Sequence, residues 1–142
     1  MYDADQSDGI DVCVPSGNFG NLCAGLFAAQ MGCPVNHFIA AVNANAVVPE
    51  YLESGEFVPR ASVSTLSNAM DVGNPSNWER IRSLFQGEHK RIADRIWSTS
   101  VNDAATLHCM QHIYAEYGYI ADPHTSVGLE ALQRYRNSGL SG

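Results

Sequence analysis

Residues 9–42 constrain the fold more than any other part of this 142-residue chain. Gly9-Ile10-Asp11-Val12-Cys13-Val14-Pro15 is a short, mainly apolar, β-branched run closed by proline, which suits a strand inside a covered parallel sheet. A loop, Ser16-Gly17-Asn18-Phe19-Gly20-Asn21, leads into residues 22–31, where Leu22, Gly25, Leu26, Ala28 and Ala29 favour a tightly packed helix stopped by Gly32. Residues 35–42 read as a second strand. A strand, helix, strand order with connections this short implies a right-handed parallel βαβ unit, so the fold class is α/β.

Asn45 is placed to cap a helix over residues 46–53, which Ser54-Gly55 would end. Residues 56–77 hold Pro59, Gly73 and Pro75 among many Ser and Asn, and read as an ordered loop long enough to suggest function. Helical spacing follows in Trp78-Ile81-Leu84-Phe85, in Ile92-Ile96-Trp97, and in Ala104-Leu107-Met110-Ile113-Tyr114-Tyr117, the last ended by Gly118. A final helix is expected over residues 124–135, behind Pro123. Two parallel strands do not make a stable covered sheet. Either a strand is hidden in a segment read as loop, or its neighbours lie on sequence outside these 142 residues.

Eight Lys and Arg against fifteen Asp and Glu give a net charge of −7, which argues against nucleic acid or an anionic membrane as partner. Any phosphate must then be held locally, by backbone N–H groups or a helix end. Residues 1–8 form an acidic N-terminal extension with no secretory pattern, and no apolar stretch approaches membrane-spanning length. Cys13, Cys23, Cys33 and Cys109 are scattered without a CxxC pair and read as buried thiols of a reducing, cytoplasmic protein.

The loop at residues 16–21 lies where a buried strand ends and a helix begins, so unpaired N–H groups and the positive end of the helix dipole converge on it. Gly17 and Gly20 would let the backbone approach an anion closely or take positive φ, and Ser16, Asn18 and Asn21 could add side-chain hydrogen bonds. The loop has no lysine and is not GxGxxG, so it is neither a nucleotide P-loop nor a dinucleotide fingerprint. The plain alternative is a tight turn with Ser16 or Asn21 as helix cap and no ligand.

Val14-Pro15-Ser16-Gly17-Asn18-Phe19-Gly20-Asn21 resembles the phosphate-cradling segment of threonine synthases, members of the fold type II pyridoxal-phosphate enzymes. Phe38-Ile39-Ala40-Ala41-Val42-Asn43-Ala44-Asn45, Leu66-Ser67-Asn68-Ala69-Met70-Asp71-Val72-Gly73-Asn74-Pro75-Ser76-Asn77 and Asp122-Pro123-His124-Thr125-Ser126-Val127-Gly128 are similar to further segments of that family, in the family's order. The resemblance covers residues 10–132 and implies that residues 9–142 are a partial domain of that fold, a parallel βαβ unit followed by mostly helical segments. It implies that the amides of Gly17, Asn18, Phe19, Gly20 and Asn21 hold the phosphate of pyridoxal phosphate. The whole enzyme would be a lyase of threonine biosynthesis, converting O-phosphohomoserine and water to threonine and phosphate. Its partners would be that cofactor and that phosphorylated amino acid.

Pyridoxal-phosphate chemistry also needs a lysine that bonds the cofactor covalently. The one lysine, Lys90, sits in the polar run Gly87-Glu88-His89-Lys90-Arg91, and the family places its Schiff-base lysine upstream of the loop. No catalytic residue is therefore assigned, and the chain alone is expected to be an inactive piece that carries the cradle and tends to self-associate. The alternative is a non-catalytic module for phosphate or a phosphorylated metabolite that kept the cradle and lost the lysine. Asn68, Asp71 and Asn77 read either as active-site wall or as loop-satisfying residues, and His124 as a cap neighbour or core histidine in preference to a base. His108 and His112 lie four residues apart with Cys109 between, but without the glutamate of a zinc-protease motif, and no metal is assigned.

Overall fold

In a computed structural model, which describes residues 9–139, the expected unit is present as β1 (Ile10–Pro15), α1 (Gly20–Gln30) and β2 (Val35–Val42), with β1 and β2 parallel. The acidic extension at residues 1–8 lies outside the described residues. The chain continues through α2 (Val47–Ser54), a 3-10 turn at Asn68–Met70, α3 (Trp78–Leu84), α4 (His89–Ala93), β3 (Ile96–Ser100), α5 (Asp103–Tyr117) and α6 (Pro123–Asn137). Gly32 and Gly118 stand where the helix stops were expected, with φ of 102° and 66°.

The sheet has three parallel strands in the order β1, β2, β3. β2 lies in the middle because both of its faces are apolar. Phe38, Ala40 and Val42 point to one side, into a core with Leu22 and Leu26 of α1, Tyr51 of α2, Trp78 and Ile81 of α3, and Ile92 of α4. Ile39 and Ala41 point to the other, against Val127, Ala131 and Tyr135 of α6. Two crossovers stepping the same way across a sheet put their helices on one face. That leaves α6 to cover the other, with α5 packed against α6.

β3 corrects the helical reading of Ile92-Ile96-Trp97. Ile92 ends up in α4 and Ile96 opens the strand, yet both side chains are buried in the same core, so a four-residue spacing arose without a continuous helix. Within Ile96–Ser100 the alternation has period two: Ile96 faces the first core and Trp97 the second. Phe38 pairs with Ile96 and Val42 with Ser100, so the third strand came from a segment read as helix, not from one read as loop.

Asn45 does not cap α2, whose N-cap is Ala46 with no side-chain cap bond. Its amide donates to Val63 O at 3.0 Å and its Oδ1 accepts the Val63 N–H at 2.8 Å, which binds the long loop to the end of β2. The loop at residues 56–77 is held by a polar hub. Asp71 Oδ1 accepts from Asn43 Nδ2 at 2.8 Å and Thr65 Oγ1 at 2.7 Å, and Oδ2 accepts from Thr65 N at 3.0 Å. Asn43 also donates to Ser67 Oγ at 3.2 Å, and as both residues are 1% exposed, these bonds satisfy groups that would otherwise be desolvated and unpaired. Of the four thiols, Cys23 and Cys109 are buried as expected, whereas Cys13 is half-buried and Cys33 exposed, and no disulfide joins any of them.

Candidate anion-binding site

The loop at the C-terminal end of β1 leaves the sheet with Ser16, whose N–H bonds Ala41 O at 2.8 Å. The first helical bond of α1 runs from Cys23 N to Phe19 O at 2.9 Å. Between these points, the backbone N–H groups of Gly17, Asn18, Phe19, Gly20 and Asn21 donate to no acceptor among the described residues. They border a cavity of about 170 Å³ lined by Pro15, Ser16, Gly17, Asn18, Phe19, Gly20 and Asn21. Unpaired amides at the positive end of a helix dipole form an anion-binding concavity. The loop itself carries no Lys or Arg, so its own positive potential is that of backbone dipoles, and the Arg80 guanidinium, whose charge is felt at Cys23 in the first turn of α1, adds to it from α3.

Left-handed backbone was expected at glycine, but the residue that adopts it is Phe19, at φ 61°, ψ 19°. A non-glycine residue there is strained and persists only when its surroundings over-determine it. The Phe19 ring does this. It is 4% exposed and meets Trp78 edge-on, with centroids 5.4 Å apart. Gly17 is needed for close approach: a Cβ would lie 2.7 Å from Met70 Cα and 3.1 Å from Ala69 O.

The side chains of the loop do not do what sequence alone suggested. Ser16 Oγ donates to Val14 O at 2.9 Å, and no side chain caps α1, so the Ser16 or Asn21 cap is excluded. Asn18 is engaged with the far loop: its Oδ1 accepts Ser76 N–H at 2.6 Å and its Nδ2 donates to Ser76 Oγ at 3.0 Å. Asn77 Nδ2 donates to Asn18 O at 3.0 Å, so Asn77 holds the outer side of the loop. Asp71 is the hub of the polar network, while Asn68 is exposed in the 3-10 turn that backs Gly17. The parts that Ser76, Met70 and Trp78 play in backing this loop are not assigned from sequence. The dense Asn-Pro-Ser-Asn run before Trp78 was the signal for them.

Lys90 is exposed on α4, which leads into the N-terminal end of β3, whereas the anion loop follows the C-terminal end of β1. With parallel strands, these are opposite ends of the sheet. A larger hollow of about 890 Å³ between α5 and α6 includes His108, Cys109 and His112 but no residue of the anion loop. His112 Nε2 there pairs with Glu116 Oε2 at 2.9 Å, and among the described residues no group of three or more His, Cys, Asp or Glu is arranged to hold a metal.

Asp122 caps α6, accepting from Thr125 Oγ1 at 2.6 Å and from His124 N at 2.9 Å. The Thr125 hydroxyl, helped by the Thr125 and His124 amides, draws its pKa from the usual 3.8 down to about 2. A carboxylate with a depressed folded pKa contributes stability that is whole above 3.8 and is lost as pH falls towards 2. Between pH 4 and pH 2, denaturant unfolding should therefore show a steeper loss of stability in wild type than in Asp122→Asn. Parallel acid profiles would count against this cap.

No family model matches the chain. Solved structures do. A threonine synthase from Brucella melitensis with pyridoxal phosphate bound matches 92% of this chain and 33% of its own, at a TM-score of 0.83 and 27% identity. The three-stranded parallel sheet with helices on both faces is thus part of a fold type II pyridoxal-phosphate enzyme domain.

Within that class the sequence is more specific. The chain is 45% identical to threonine synthase of Serratia marcescens over 131 residues, 92% of this chain and 30% of that enzyme. It is 41% identical to the Escherichia coli threonine synthase of known structure, at a TM-score of 0.82 and covering 93% of this chain and 30% of that one. By sequence and fold alike, the chain corresponds to a segment of threonine synthase, spanning about 30% of the length of these relatives. Among the described residues, no helix is long and apolar enough to cross a membrane.

Proposed function

We propose that this chain supplies the phosphate-holding part of a pyridoxal-phosphate enzyme that turns O-phosphohomoserine and water into threonine and phosphate. The observation that carries the reading is the row of unpaired amides from Gly17 to Asn21 around its cavity, with Met70 too close for any side chain at Gly17. A phosphate monoester fits such a row, because each of its oxygens accepts hydrogen bonds and its charge meets the end of the α1 dipole. When bound, the cofactor supplies the electron sink of the reaction. The residues of this chain bind and orient its phosphate: Gly17 to Asn21 through their N–H groups, Ser76 and Asn77 by fixing Asn18, and Trp78 by seating Phe19. Lys90, exposed at the other end of the sheet, takes no part. The free thiols agree with a cytoplasmic protein.

Titration with inorganic phosphate and then with pyridoxal phosphate tests this, followed by amide NMR and by the melting temperature. The expected result is movement of the Gly17 to Asn21 resonances and a higher melting temperature with either ligand. Gly17→Ala should weaken phosphate by about 10-fold or more, the scale of one charge-assisted hydrogen bond. Borohydride reduction should leave Lys90 unmodified. Cradle amides that ignore phosphate would sink the binding role, and a pyridoxyl group fixed on Lys90 would restore that lysine as the cofactor's anchor.

A further inference from the structure

Behind the cradle, the 3-10 turn at Asn68–Met70 is tied to α6 through one imidazole. The Ala69 N–H donates to His124 Nε2 at 3.3 Å, and His124 Nδ1 lies 3.1 Å from Asp122 Oδ1. A backbone N–H only donates, so Nε2 must offer its lone pair and the ring proton must sit on Nδ1, where the Asp122 carboxylate accepts it. Asp122 is itself held by the Thr125 hydroxyl and by the amides of His124 and Thr125. The chain of bonds runs from the N-cap of α6, through His124, to the turn whose Met70 Cα abuts Gly17. α6 also touches the loop's entrance directly, since a Cβ at Gly128 would lie 2.8 Å from Pro15 Cγ.

We propose that His124, in its neutral, Nδ1-protonated form, is a positioning residue for the anion cradle: it latches the Asn68–Met70 turn against Gly17 and so sets where the first cradle amides point. The purpose given to this latch rests on the phosphate-binding reading above. The latch itself does not. His124 touches no ligand, and its effect travels through Ala69 and Met70 to Gly17. An imidazole protonated on both nitrogens has no lone pair for Ala69, so the latch needs the neutral ring.

The test begins with the wild-type chain, in which long-range proton–nitrogen correlation of the His124 ring reads the tautomer without any mutation. A proton on Nδ1 and a bare Nε2 are expected; a proton on Nε2 would overturn the latch. His124→Ala should then shift the Ala69, Met70 and Gly17 amides and weaken inorganic phosphate by about 3- to 10-fold, the scale of one lost hydrogen bond. His124→Gln, which returns an acceptor to Ala69, should recover most of both effects. If the Gly17 amide stays in place in His124→Ala, the turn is held by other contacts and the proposal fails. If the wild type does not respond to phosphate at all, the phosphate reading fails instead, while the tautomer and the Ala69 and Gly17 shifts still decide the latch.

Discussion

Replacing Trp78 with alanine should lower the unfolding free energy by about 3–5 kcal/mol, the range for emptying a buried aromatic site. Trp78 is fully buried and packs against three aromatic rings: edge-on to Phe19 and Tyr51, each at 5.4 Å, and stacked near Phe57 at 6.4 Å. Its loss also removes the wall that keeps Phe19 left-handed, so Phe19 should relax and the cradle amides lose their common direction. Among the described residues Trp78 Nε1 is buried without a hydrogen-bond partner, so phenylalanine gives up area and no polar bond within them. Trp78→Phe should accordingly cost about half as much as alanine or less. Urea unfolding of both variants, with phosphate titration of whichever remains folded, separates the two roles. Equal losses would mean that the indole N–H is satisfied after all.

Gly73→Ala should cost about 3 kcal/mol, although it adds a single methyl group. Two arms of the 56–77 loop cross at Gly73, whose carbonyl accepts Arg60 N–H at 3.0 Å, and a Cβ there would overlap the Arg60 carbonyl oxygen and press on Ala61. The obstacle is backbone and cannot swing aside as a side chain would. Relief requires moving residues 74–77, which frees Asn18 from Ser76 and Asn77, so weaker phosphate binding should accompany the lost stability. Arg60→Ala serves as the control. It removes only the exposed pair with Glu50, at 2.6 Å, and exposed pairs contribute about 0–1 kcal/mol. Calorimetry of the two variants checks this, and a Gly73→Ala melting temperature no lower than that of Arg60→Ala would contradict the close crossing.

Much of the cradle was legible because it is local. A strand that ends at Pro15, a glycine-bearing turn and a helix start dictate unpaired N–H groups wherever they occur in succession. The same locality made the stops at Gly32 and Gly118 readable. The helical spacing of Ile92 and Ile96 misled because two residues can share one core across a chain reversal, and spacing alone does not distinguish that from a helix. Asn45 misled because a helix-capping residue type is also a good link between loops, and only the position of Val63 decides between them.

Residue order was enough to read the α/β opening, a glycine-bearing turn with unpaired amides at a helix start, the small number of Lys and Arg in the chain, and the family its motifs resemble. Tertiary structure decided what holds that turn in shape. Ser76 reaches Asn18 across 58 positions and His124 reaches Ala69 across 55, while strand pairing placed Ile96–Ser100 beside β2. Pairing register, burial and side-chain partners arise between segments distant in sequence, and no local pattern of residue types encodes them. The left-handed Phe19 shows this at one residue: its sequence neighbours make a turn there, but only the ring of Trp78 makes that conformation last.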